Sequence, residues 1–112
     1  MAYDEELADR VREQVACESG LSEKRMFGGL AFLIDGHMAV SASGRGGLLL
    51  RVDPGQTQAL LDEPNVRRFE MRGREMDGWL RLDAAAVAGE DELRRWVAYG
   101  VAYARSLPPK PG

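Results

Sequence analysis

The stretch Met26-Phe27-Gly28-Gly29-Leu30-Ala31-Phe32-Leu33-Ile34-Asp35-Gly36-His37-Met38 decides the fold of this chain. The apolar run from Leu30 to Ile34 is short and reads as a buried strand. A Gly pair inside such a run weakens it, so Gly28-Gly29 predicts a bulge, a bend or a close approach by another backbone. Asp35-Gly36 then separates the run from a second apolar segment. Both residues tolerate positive φ, which predicts a tight hairpin turn. The first hairpin is therefore placed over residues 25–34 and 37–43.

Further strands follow on the C-terminal side. Gly47-Leu48-Leu49-Leu50-Arg51-Val52 reads as a third strand after the turn Ser43-Gly44-Arg45-Gly46. Asp53-Pro54 opens a short helix running to about Leu61, because Asp caps well and Pro suits the first helical position. Residues 67–72 read as a fourth strand, with Phe69 and Met71 on one face and Arg68, Glu70 and Arg72 on the other. Gly78-Trp79-Leu80-Arg81-Leu82 is a fifth, with Leu80 and Leu82 inward and Trp79 outward.

Helices flank these strands. Leu7, Val11 and Val15, with Ala8 beside them, fall on one face of a helix over 4–17. Asp4 or a neighbour is placed to cap it, Glu5 and Glu6 suit its positive end, and Ser19-Gly20 ends it. Leu93, Trp96, Val97, Val101 and Ala104 form the stripe of a last helix over 90–105. Gly100 lies beside that stripe, where a missing side chain lets the helix approach the sheet. The predicted order is α-β-β-β-α-β-β-α. Runs of strands joined by short turns give an α+β, two-layer sandwich, a five-stranded antiparallel sheet with helices on one face. Residues 1–106 are expected to form one domain and 107–112 a flexible Pro-rich tail.

Composition narrows the function. The 112 residues are 45% hydrophobic and 29% charged, as in an ordinary soluble domain. A net charge of -3 and a pI of about 5.2 argue against a free-standing nucleic-acid binder, which carries a basic face and a high pI. No apolar run is long enough to span a bilayer. The acidic start Met1-Ala2-Tyr3-Asp4-Glu5-Glu6 leads directly into a helical pattern, with no sign of a signal peptide. The single cysteine, Cys17, excludes an intramolecular disulfide. Together these favour the cytoplasm.

Three pieces of the chain resemble the N-terminal domain of the TfoX/Sxy family. They are Lys24-Arg25-Met26-Phe27-Gly28-Gly29 with the Asp35-Gly36 turn; Leu49-Leu50-Arg51-Val52; and Gly78-Trp79-Leu80-Arg81-Leu82 with Trp96-Val97 and the closing Tyr103-Ala104-Arg105-Ser106-Leu107-Pro108-Pro109. The resemblance implies a fold similar to type III secretion chaperones. It also implies kinship with regulators of competence for DNA uptake, which act with the cyclic-AMP receptor protein at promoters. Those regulators carry a second, C-terminal domain, for which this chain is expected to have no room. The resemblance transfers no catalytic residue and no cofactor.

Few residues are arranged for chemistry. His37 is the only histidine, and at period two it would share a strand face with Ser41 and Ser43; a serine nucleophile needs such a base and an orienting group, for which Asp35 is the candidate. The ordinary reading is a surface histidine beside a turn. One His and one Cys twenty residues apart match no zinc spacing. Cys17 would be a redox thiol only if exposed beside a positive charge, and a small buried hydrophobe is the favoured reading. Ser43-Gly44-Arg45-Gly46-Gly47 lacks the Lys-Ser/Thr ending of a phosphate loop and reads as a hairpin loop.

Arg67, Arg68, Arg72, Arg74 and Arg81 form the one charge cluster. On paired strands they would surround Trp79 as an interaction surface, unless Glu70, Glu75 and Asp77 neutralise them at a solvated edge. The expected function is a non-enzymatic regulatory or protein-interaction module with no cofactor and no membrane contact. Its partner is a protein, and DNA contact is at most indirect or weak. A homodimer stays open. The alternatives are direct nucleic-acid binding through the Arg67–Arg81 strands, or a small enzyme or ligand-binding domain with a pocket under the last helix.

Overall fold

The computed structural model describes residues 4–26, 28–44, 46–71 and 73–108. It contains three α-helices, α1 (Glu5–Val15), α2 (Thr57–Leu60) and α3 (Glu90–Ser106). Six strands accompany them: β1 (Leu21–Met26), β2 (Gly29–Ile34), β3 (His37–Ala42), β4 (Leu48–Arg51), β5 (Val66–Met71) and β6 (Arg74–Leu82). Short 3₁₀ turns at Pro54–Gln56 and Ala84–Val87 precede α2 and α3. The strands form one antiparallel sheet in the order β1-β2-β3-β4-β6-β5, with β1 and β5 at its edges.

The α+β architecture matches expectation, but the sheet has six strands, not five. The sixth comes from the Gly pair. Gly28-Gly29 is not a bulge within one long strand: β1 ends at Met26, the chain turns, and β2 begins at Gly29. Leu21-Ser22-Glu23-Lys24-Arg25-Met26 hides its strand character because four polar or charged residues in a row break the apolar alternation. Charge is common on an edge strand, where it discourages pairing with other chains. Gly29 still needs its missing side chain. A Cβ there would fall on the carbonyl oxygen of Ala42, on β3.

Local signals elsewhere hold. Asp35 and Gly36 have φ of 52° and 86°, the backbone of a tight hairpin turn. The Asp4 carboxylate accepts the Leu7 N–H at 3.2 Å, and the Asp53 carboxylate accepts the Gly55 N–H at 2.9 Å. The Asp53-Pro54 signal opens a 3₁₀ turn before the single helical turn of α2. Of the expected tail, Leu107 and Pro108 are described, with Leu107 extended; residues 109–112 lie outside the described residues.

The core lies between the helices and one face of the sheet. Leu7, Ala8, Val11 and Val15 of α1 and Leu93, Trp96, Val97 and Ala104 of α3 are buried against it. They meet Leu30, Phe32 and Ile34 of β2, Val40 and Ala42 of β3, Leu48 and Leu50 of β4, and Leu80 and Leu82 of β6. Gly100 behaves as its position predicts: a Cβ there would meet the Ala39 carbonyl and come 2.8 Å from Leu50 Cδ1. A register shift between Phe32 and Leu33 sets Ala39 as an extra residue of β3, opposite α3.

Candidate interaction surface on the uncovered sheet face

Among the described residues no helix packs on the second face of the sheet, yet it has its own apolar cluster. Ala31, Met38 and Leu49 are buried there, and Leu33, Phe69 and Trp79 pack half-buried around them. Register explains the set. Leu33 opposes Met38, Ala31 opposes the buried Ser41, Ser41 opposes Leu49, and Leu49 opposes Arg81. Facing residues of an antiparallel pair share a face, so a row crosses four strands.

Trp79 sits beside this row, two residues along β6 from Arg81 on the same face. Its ring centroid is 6.3 Å from that of Phe69, at a 40° tilt. Arg51, opposite Trp79 in the β4–β6 register, places its guanidinium carbon 5.2 Å from the Trp79 centroid and 5.4 Å from that of Tyr103 on α3. Such contacts attract the cation to the ring face. The strand before Trp79 is anchored from both directions. The Gly78 N–H donates to the buried Thr57 hydroxyl at 2.8 Å, and the Gly78 carbonyl accepts the Val52 N–H at 2.8 Å.

The sequence-predicted arginines divide between the faces. Arg67 and Arg81 are direct cross-strand partners on the uncovered face. Arg67 is exposed and donates to Asp83 at 2.6 Å. Arg81 is half-buried and donates to the Ser43 hydroxyl at 3.0 Å and the Gly46 carbonyl at 3.3 Å. Arg74 is exposed opposite residue 71, in the parity of Arg67 and Phe69. Arg68 opposes the inward Leu80 and reaches Gln58 of the helix layer at 3.2 Å. Arg72 lies outside the described residues, as do the side chains of Glu75 and Asp77. Asp83 neutralises Arg67.

Sequence reasoning missed Arg51, the cation that faces Trp79. The uninterrupted run Leu48-Leu49-Leu50 carried the signal: a strand apolar at every position buries side chains on both sides of the sheet, and Arg51 continues the parity of Leu49. Other expectations resolve plainly. The β3 irregularity breaks the period-two relation between His37 and Ser41. His37 opposes the inward Ile34, and its Nε2 lies 2.6 Å from the Pro108 carbonyl, while Ser41 is on the other face. Cys17 is exposed rather than buried, because α1 ends at Val15, before Cys17 can join its inward stripe. Among the described residues no three His, Cys, Asp or Glu side chains come together as a metal site. Arg45 of the glycine-rich loop lies outside the described residues. A groove of about 300 Å³ runs between α1 and α3, floored by Val97 and Val101 and flanked by Arg94 and by the Glu18–Arg105 ion pair at 2.8 Å.

A model of the TfoX N-terminal domain matches residues 13–104. The chain belongs to the TfoX N-terminal domain family. The match includes all six strands, most of α3 and the last turn of α1, so it contains both faces of the sheet. No curated protein matches the chain. Among the described residues, no helix of this TfoX N-terminal domain is long and apolar enough to cross a membrane.

Proposed function

We propose that the chain is a non-enzymatic regulatory module that works in the cytoplasm by binding a protein partner through the uncovered face of its sheet. The observation that carries this reading is the Phe69–Trp79–Arg51 cluster, set on apolar floor residues and flanked by Arg67, Arg74 and Arg81. Aromatic and Arg side chains dominate the energetics of protein interfaces. Family membership supports a regulatory setting. Net charge supports a protein partner over DNA: at -3 the chain repels a polyanion at long range.

The test pairs a pull-down with a DNA titration. Wild type, a Trp79→Ala, Arg81→Ala variant and an exposed-site Arg67→Glu variant are used as bait, each checked for an unchanged melt. Loss of one stoichiometric partner from both variants supports the reading; a partner held equally by all three removes it from this face. Labelled duplex at about 150 mM salt is expected to bind no tighter than the nonspecific range of about 10⁻⁴–10⁻⁶ M. Sub-micromolar, sequence-selective binding by the chain alone would promote direct nucleic-acid recognition in its place.

A further inference from the structure

We propose that the free edge of β5 is a strand-addition site for an extended, acidic polypeptide segment. The proposal rests on the reading of this sheet face as the partner surface, and names what the partner presents. β5 is the terminal strand of the sheet. β6 pairs with one of its edges, and among the described residues no strand pairs with the other. A free edge offers a row of backbone donors and acceptors. An incoming strand takes affinity from these groups and specificity from the side chains it passes.

Those side chains select for acid. An added strand passes Arg67, which also holds Asp83, and Phe69 on the uncovered face, and Arg68 and the exposed Glu70 on the helix side; the two arginines outnumber the one carboxylate of β5. Carboxylates opposite the arginines and an apolar residue opposite Phe69 complement them, as favourable cross-strand pairs do. Charge across the molecule points the same way. Lys24, Arg51, Arg74 and Arg81 share the uncovered face with Arg67. The helix layer exposes Glu5, Glu6, Asp9 and Glu13 on α1, while the acidic first turn of α3 is balanced by Arg94, Arg95 and Arg105. An acidic segment is drawn to the sheet face and repelled from α1. The opposite edge matches less well. β1 exposes Ser22, Glu23, Lys24 and Arg25 in succession, without an apolar anchor, and Glu23 is held by Arg12. A single-stranded nucleic acid fits less well too, because the Trp79 ring is engaged by Arg51 and Phe69 and a strand edge pairs with peptide groups.

The test is an amide-resolved NMR titration of the whole chain with a short peptide alternating glutamate with valine and threonine. Controls are the peptide with lysine for glutamate, the acidic peptide with a central proline, and a single-stranded oligothymidylate. The acidic peptide is expected to shift the amides of residues 66–71 and leave those of β1 in place. It is expected to bind about tenfold more tightly than the lysine peptide, the size of a few favourable cross-strand pairs. Proline should abolish binding. Arg67→Glu with Arg68→Glu should cost about tenfold, Arg67→Glu alone a smaller share, and Arg25→Glu, on the far edge and the helix side of β1, nothing. Equal affinity for both peptides, shifts confined to β1 or the helices, or tighter binding of the oligothymidylate would each overturn the proposal. No peptide binding, with the Trp79- and Arg81-sensitive partner still captured, removes strand addition and leaves the interaction surface standing.

Discussion

Replacing Gly100 with alanine sets two effects of opposite sign against each other. Gly in a helix interior costs about 0.5–1 kcal/mol relative to Ala, so on propensity alone the substitution stabilises α3. The packing says otherwise. The new Cβ would meet the Ala39 backbone carbonyl and lie 2.8 Å from Leu50 Cδ1. Ala39 and Leu50 are both fully buried, so neither has solvent to move into. Forcing an extra carbon into a filled core costs about 1–3 kcal/mol. The net expectation is a loss of about 1 kcal/mol, which lowers the Tm of a domain this size by roughly 4 °C. Thermal melts of Gly100→Ala beside Ala98→Gly make the comparison internal. Ala98 is exposed on the same helix, so its substitution reports the propensity effect alone. A rise in Tm for Gly100→Ala would refute the close approach of α3 to the β3 irregularity.

Other expectations follow from the same geometry. Gly29→Val should destabilise by more than about 1 kcal/mol, because its Cβ falls on the Ala42 carbonyl; a melt unchanged within about one degree would contradict that contact. In single-Trp variants, Trp96, which is 1% exposed, should resist acrylamide while the half-buried Trp79 is quenched more; the reverse order would reverse the β6 register. The Arg12 guanidinium, hydrogen-bonded to Glu23 at 2.8 and 3.0 Å, holds that carboxyl below its ordinary 4.5. Its contribution is therefore complete above the ordinary carboxylate range and lost as pH falls through the lowered value. The melting gap between wild type and Glu23→Gln should close in acid, and a gap that persists there would show that the ionised carboxylate is not its source.

The sequence was most legible where the signal is local. The spacing of Leu7, Val11 and Val15, the Asp35-Gly36 turn and the Asp caps each involve neighbours a few residues apart, and each appears as read. Strand β1 was illegible because edge strands carry charge, so Ser22 to Arg25 look like a loop. The two residues set at the β3 irregularity against β2, Ala39 and Val40, were hidden for another reason: both are small and apolar, and no local pattern tells which one is extra. The candidate site was half legible. Trp79 outward and Leu80 inward follow from alternation. The Arg51–Trp79 pair depends on β4 lying beside β6 across an intervening helix and strand, a non-local fact that no local pattern contains.

The central claim is that a protein partner covers the uncovered sheet face. Hydrogen exchange of the chain, alone and bound to the partner it captures, tests this most directly, since exchange reports protection segment by segment. The account predicts slowed exchange in residues 66–71 and 74–82, with α1 and the outer face of α3 unchanged. Protection confined to α1 and α3, with the β5–β6 hairpin exchanging as in the free chain, would contradict it.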